Sequence, residues 1–246
     1  MKILAIDTSN VAMGVALVEE DIVKGEIVTN IKKDHSARLM PAIQSLLKDC
    51  GVSPHELELI VVARGPGSYT GVRIGTTIAK TLAWALKIPI VGVSSLEALA
   101  ANGRYFSGVI SPFFDARRGQ IYTGLYRYND GQLECIENDR IVLADEWARK
   151  LQERQERVLF IGSDIALYKE TFQQQLGGFA QFAPPSLQLP RPGELALLGK
   201  NKEKEDVHTF VPNYVRLAEA EAKWLAKQKG ENKYGDENSV SLNDLK

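Results

Sequence analysis

The sequence predicts an α/β fold made of two similar halves, the second abbreviated. Three observations lead there. Short apolar runs ending in turn residues alternate with stretches of helical period through the first hundred residues. The pattern restarts near residue 108, with an aspartate in the matching place. A chain of 246 residues, 44% hydrophobic and 25% charged, is long enough for one large soluble domain or two small ones.

The elements follow in order. "KILAID" (2–7) is an apolar run closed by a carboxylate, and "MGVALVEE" (13–20) resumes it after a polar turn, as in a hairpin. "DIVKGEIVTNI" (21–31) alternates well enough for a third strand. Residues 36–51 switch period: Leu39, Ile43, Leu46, Leu47 and Cys50 fall at helical spacing, and Gly51 supplies a stop. Pro41 should kink the first turn of this helix or delay its start. "LELIVVA" (57–63) reads as a buried strand, 70–87 as a helix and "IPIVGV" (88–93) as a strand. Residues 94–103 form a short helix, with Ser94 or Ser95 as N-cap and Gly103 as its end.

The second half begins with "GVISPFFDARRGQIYTGLYRY" (108–128), in which Asp115 falls near the place of Asp7. Residues 140–151 follow, then "RVLFIGSD" (157–164) as a strand entering a helix. A proline-rich stretch precedes one more short helix at about 193–203. These boundaries give an N-terminal half at 1–104, a C-terminal half at 105–226 and a polar tail at 227–246. The tail has too few apolar residues to repay its ordering entropy, so it reads as disordered.

Thirty basic and 31 acidic residues give a net charge of −1. That argues against a self-sufficient nucleic-acid binder but leaves RNA contact inside a larger complex open. Cys50 and Cys135 are the only cysteines, so no disulfide framework is implied. Asp7 interrupts any signal-peptide core, and no run approaches the roughly 18 apolar residues of a membrane span. A cytoplasmic protein with no membrane contact is expected.

The stretch "ARGPGSYTGVRIG" (63–75) puts four glycines at a strand-to-helix junction. Such a turn can cradle a phosphate on its backbone N–H groups. It is not a P-loop, since no Gly-Lys-Ser/Thr follows, and Gly71 and Gly75 fall inside the helix rather than in the turn. Alternatively, Gly65 and Gly67 only permit a tight turn, with Ser68 or Thr70 capping the helix. Within that helix Gly71, Gly75, Ala79 and Ala83 form one ridge; Ile74, Ile78, Leu82 and Leu86 form its neighbour. The small ridge would suit close approach by another helix or by the protein's own sheet.

Asp7 ends the first strand, where open α/β sheets bind ligands. Asp7 and Asp115 are either paired site carboxylates or backbone-bonded turn residues. His35, His55 and His208 lie far apart, so zinc chemistry finds no pattern, and His35 reads as an exposed or capping residue. No nucleophile-elbow pattern supports a Ser/His/Asp constellation. "DARRG" (115–119) puts Arg117 and Arg118 at a turn, as a solvated hairpin tip or a phosphate or tRNA contact.

At "ILAIDTS", "GPGSYTGVRIG", "GVSSLEALA", "DARRGQIY" and "PNYVR" the sequence resembles the TsaB (YeaZ) family of bacteria, from residue 1 to about 225. The resemblance implies two ribonuclease-H-like halves of the actin/Hsp70/sugar-kinase type. It implies a part in making threonylcarbamoyladenosine beside the tRNA anticodon. The partners it implies are TsaD, which transfers the threonylcarbamoyl group, and the ATPase TsaE, with tRNA reached through the complex and a homodimer when the partner is absent. By resemblance, segments 36–51 and 70–87 form the helical interface, through Leu39, Ile43, Leu46, Leu47, Gly71, Gly75, Ala79 and Ala83. TsaD carries a His-x-x-x-His metal pair after the strand matching "IPIVGV"; here those positions hold Ser95 and Leu99. Neither can replace an imidazole, so a non-catalytic scaffold is implied, with no metal or cofactor of its own. ATP or ADP would sit at the complex interface. Residual nucleotide contact would fall on Asp7, Thr8, Gly65, Gly67 or Ser68. A free-standing phosphotransferase of the same fold is the alternative, requiring Asp7 or Asp115. A metallopeptidase is a third reading, disfavoured by the missing ligand pair.

Overall fold

A computed structural model describes residues 1–32 and 34–215. Its first sheet contains β1 (Lys2–Asp7), β2 (Ala12–Glu19), β3 (Ile22–Asn30), β4 (Leu59–Ala63) and β5 (Ile90–Val93), in the order β3-β2-β1-β4-β5. The first three strands pair antiparallel, and β1, β4 and β5 pair parallel. Helices α1 (His35–Asp49) and α2 (Tyr69–Leu86) make the crossovers, and α3 (Ser95–Ala100) leaves β5. The second sheet contains β6 (Val109–Arg117), β7 (Gln120–Asn129), β8 (Gln132–Leu143), β9 (Val158–Ile161) and β10 (Ala180–Phe182). Its order, β10-β9-β6-β7-β8, repeats the first strand for strand. Helices α4 (Ala144–Gln152) and α5 (Ile165–Leu176) serve it as α1 and α2 serve the first. These are the two ribonuclease-H-like halves of the actin/Hsp70/sugar-kinase type, and the second is the shorter in its last strand.

Period-two alternation sorts the first sheet into two faces. Leu4, Ile6, Val15, Leu17, Ile60 and Val62 pack against α1 and α2. Ile3, Ala5, Ala16, Val61 and Ala63 face the other way, onto Leu195 and Ala196 of α6 (Pro192–Lys200). So the helix expected at about 193–203, assigned by sequence to the second half, instead covers the back of the first sheet. Small residues make this approach feasible. A β-carbon on Gly199 would come within 2.4 Å of the Val61 side chain. Met1–Val215 form one compact unit that contains both sheets. The second sheet has its own core around Trp147, Phe113, Phe160 and Phe172.

Local signals explain the element ends. Asp34 caps α1, accepting from Ser36 N at 2.9 Å, so the helix starts six residues before Pro41 rather than after it. Of the two capping candidates for α2, Ser68 caps it, accepting from Gly71 N at 3.3 Å. Ser94 caps α3. The tail expected at 227–246 lies outside the described residues.

Candidate functional site

The ends of β1 and β4 bring the hairpin loop at residues 8–11 against the glycine-rich turn. Thr8 Oγ1 donates to Gly71 O at 2.8 Å, and Ser68 N donates to Ser9 O at 2.7 Å. A β-carbon on Gly67 would fall 2.2 Å from Ser9 O; one on Gly71, 2.2 Å from Thr8 O; one on Gly75, 2.4 Å from Thr8 Oγ1. These three glycines let α2 and its turn lie directly on the loop.

Gly65 has φ +102, its amide donates to Ser95 Oγ at 3.1 Å, and its missing β-carbon makes room for Asn213 O. The N–H groups of Gly65, Ser68 and Gly71 are thus all engaged by the chain itself. The turn is packed from within by the loop at residues 8–11 and by Ser95. A returning segment seals its other side: Asn213 N donates to Arg64 O at 2.7 Å, and Phe210 lies under the Arg64 guanidinium at 5.0 Å.

Asp7 is buried, 3% exposed. Its Oδ1 accepts from Ser9 N at 2.8 Å and Ser9 Oγ at 2.7 Å, while Oδ2 has no hydrogen-bond partner among the described residues. Burial pushes this carboxyl above its ordinary pKa; the two Ser9 bonds and the charge of His35 oppose the rise. His35 is neither a free surface residue nor the cap of α1. Its Nε2 lies 2.7 Å from Asn10 O, tying α1 to the loop. Asp7 is therefore a buried turn residue as well as a strand-end carboxylate.

The expected interface residues are placed differently from the sequence reading. Leu39, Ile43, Leu46, Leu47, Ala79 and Ala83 are core residues against the first sheet, and Gly71 and Gly75 are buried on the loop. The small ridge of α2 faces its own protein because that is where only small residues fit. The neighbouring ridge lies at the edge of the core: Ile74, Ile78 and Leu82 are half-buried against it, and Trp84 beyond them is 64% exposed. Between this ridge and the start of α1 runs a groove of about 350 Å³, lined by Ser36, Tyr69, Thr70, Arg73, Ile74, Thr77 and Ile78.

Ser95 and Leu99, the positions of interest for a metal pair, are both fully buried. Ser95 holds the glycine turn and Leu99 belongs to the core. Among the described residues no group of three His, Cys, Asp or Glu side chains could hold a metal ion.

In the second half, Asp115 is clamped rather than free. Its Oδ1 accepts from Tyr168 OH at 2.6 Å and Arg117 N at 2.9 Å, and its amide donates to Asp164 Oδ2 at 3.1 Å. Burial and the bond to Asp115 push the Tyr168 hydroxyl well above its ordinary pKa. Arg117 and Arg118 project from the hairpin tip and are exposed.

One cluster gave no sequence signal. Asp139 on β8 accepts from Ser94 Oγ and Tyr126 OH, each at 2.5 Å. Burial raises its pKa. It joins the cap of α3 to the second sheet through residues 45 and 13 positions away, a distance no local pattern reports.

A family model described as TsaD, tRNA N6-adenosine threonylcarbamoyltransferase, matches residues 23–224. The tRNA threonylcarbamoyladenosine biosynthesis protein TsaB of Bacillus subtilis is 58% identical over 229 residues, covering 93% of this chain and 100% of that one. The chain belongs to the TsaB family. TsaB of Escherichia coli is 34% identical over 148 residues, 59% of this chain and 64% of its own length. Among solved structures, YeaZ from Pseudomonas aeruginosa superposes with a TM-score of 0.72 at 27% identity, covering 87% of this chain and 99% of that one. Ethanolamine utilization protein EutJ from Carboxydothermus hydrogenoformans, at 13% identity and a TM-score of 0.50 over 81% of this chain and 90% of that one, shows the fold alone. No helix among the described residues is long and apolar enough to cross a membrane.

Proposed function

We propose that this chain is a non-catalytic subunit of the machinery that makes threonylcarbamoyladenosine in tRNA, acting with TsaD and TsaE in the cytoplasm. Family membership supports the pathway. The observation that carries the non-catalytic role is the fate of Ser95 and Leu99. A hydroxyl bonded to Gly65 N and a leucine in the core replace the imidazole pair that holds metal in TsaD. The packed turn at Gly65–Gly71 argues in the same direction against a free-standing phosphotransferase. We assign any ATP or ADP to the boundary with a partner, because the loop at residues 8–11 packs directly on the glycine turn. Contact with Thr8, Gly65, Gly67 or Ser68 would need that packing to open.

The docking surface we assign to TsaD, or to a second copy when TsaD is absent, is the outer ridge of α2 with the groove beside α1. It combines half-buried isoleucines with an exposed tyrosine and arginine, the mixture that fits a helix-lined protein contact.

The test is threonylcarbamoyl transfer from threonylcarbamoyl-AMP to tRNA, with TsaD and TsaE present, with and without this chain. Transfer should require it, and the chain alone should give none. Ile78→Asp should weaken association roughly 100-fold, about 2.7 kcal/mol, without unfolding the chain. Full transfer without the chain, or ATP turnover by the chain alone, would favour the phosphotransferase instead.

A further inference from the structure

Helix α2 carries no acidic residue and two cations, Arg73 and Lys80. Lys80 is spent on the chain itself: its Nζ donates to Phe210 O at 2.7 Å and to His208 O at 3.2 Å. Arg73 is exposed and meets no carboxylate at ion-pair distance among the described residues. Its contacts are with a neutral tyrosine. The guanidinium carbon lies 5.3 Å from the centre of the Tyr69 ring, and Nη1 donates to Tyr69 OH at 3.3 Å. These contacts orient the guanidinium without neutralising its charge.

The stack has a third member. Tyr214 packs against Tyr69 with ring centroids 5.0 Å apart. It arrives on the returning segment, which is fixed by Asn213 N on Arg64 O at 2.7 Å and by Arg64 Nη2 on Val211 O at 3.1 Å. Tyr69 and Arg73 also line the groove between α2 and the start of α1, beside Ile74 and Ile78. Among the described residues of that lining Arg73 is the sole charged one. A single guanidinium mounted on tyrosine among isoleucines has the composition of an anchor in a protein contact. An RNA backbone would ask for several cations side by side.

We propose that Arg73 chooses the partner of this face: it takes a carboxylate from an otherwise apolar helix of TsaD and disfavours a second copy of this chain. The inference rests on the docking surface assigned above. A two-fold contact sets one patch against itself. Two copies of this groove would meet with a cation on each side and no carboxylate in either lining, which weakens self-association. A partner that places a carboxylate opposite Tyr69 closes a charge-assisted bond instead. The guanidinium is already held on Tyr69, and Tyr69 on Tyr214, so little ordering remains to be done on binding.

Association of the full-length chain with TsaD, and with itself, is measured by sedimentation from about 50 to about 300 mM salt, where screening of an exposed pair changes most. Wild type, Arg73→Gln and Arg73→Lys are compared. Association of wild type with TsaD should weaken as salt rises. Arg73→Gln should weaken it roughly 10-fold at about 100 mM salt and flatten its salt dependence. Self-association of the same variant should stay level or tighten. Arg73→Lys should keep the salt dependence while losing part of the affinity. The Tm of Arg73→Gln should stay within about 2 °C of wild type, because the side chain is exposed.

Association with TsaD that ignores salt, or that Arg73→Gln leaves unchanged while Ile78→Asp breaks it, overturns this inference and keeps the docking surface. Equal losses of both associations also overturn it, since Arg73 would then serve shape rather than partner choice. So does a larger fall in Tm, which would make Arg73 a support of α2. Loss of tRNA binding by the assembly with TsaD association intact overturns it and assigns Arg73 to a phosphate. If Ile78→Asp leaves both associations unchanged, the docking surface itself fails, and this inference with it.

Discussion

The loops that follow β1 and β6 occupy equivalent places in two halves of one topology, yet they have opposite fates. After β1, Thr8 and Ser9 are buried, locked under three glycines of the neighbouring turn and helix. After β6, Arg117, Arg118 and Gly119 stand exposed on a clamped tip. The strand-end aspartates differ in the same way: Asp7 leaves one oxygen buried without a partner among the described residues, whereas Asp115 is held by a tyrosine from α5. Repetition of a fold therefore does not repeat a site. What packs over each loop decides whether it is buried or left exposed.

The strongest way to break this contrast is to pry open the sealed loop. Gly75→Leu would drive a side chain into Thr8 and should destabilise the protein by about 3 kcal/mol or more, measured by urea unfolding. A stable, folded variant would mean that α2 does not lie on the loop as described. The next effect in size concerns the turns of the second sheet. Asp130 has φ of 48°, and Asp130→Arg copies the left-handed Arg118 of the β6–β7 tip, with φ of 57°, into a turn without its clamp. It should cost about 1–2 kcal/mol. An unchanged Tm would show that left-handed arginine needs no clamp.

The smallest expected effect is on pH dependence. The folded pKa of Asp7 is raised, so the folded state holds its proton more tightly than the unfolded chain does. Asp7 therefore removes stability as pH rises from its unfolded value near 3.9 through the raised folded value, with no further change above it. Asp7→Asn lacks this dependence, and its unfolding midpoint should gain on wild type over that interval. A gap independent of pH between 4 and 7.5 would mean that Asp7 is not buried in charged form.

Several elements were legible because the signal is local. The short apolar run of "KILAID" and the serine ahead of α2 depend on neighbours within a few residues, and the structure keeps both. The small ridge on α2 was equally visible, but its direction was not. Periodicity states that Gly71, Gly75, Ala79 and Ala83 share a face; it does not say what the face meets. The loop at Thr8, 63 residues before Gly71, supplies that answer. His35 looked like a surface residue because its partner, Asn10, lies 25 positions away.

What the sequence determined by itself is the succession of elements in the first half, the duplication and the family, since all three are written in spacing and in motifs such as "GPGSYTGVRIG". Only the tertiary structure decided that the loop at residues 8–11 packs on the glycine turn, that α6 closes the back of the first sheet and that the outer ridge of α2 is left half-buried. The physical reason is range. Secondary structure is set by side chains a few residues apart, whereas the use of a face is set by contacts closed across long stretches of chain.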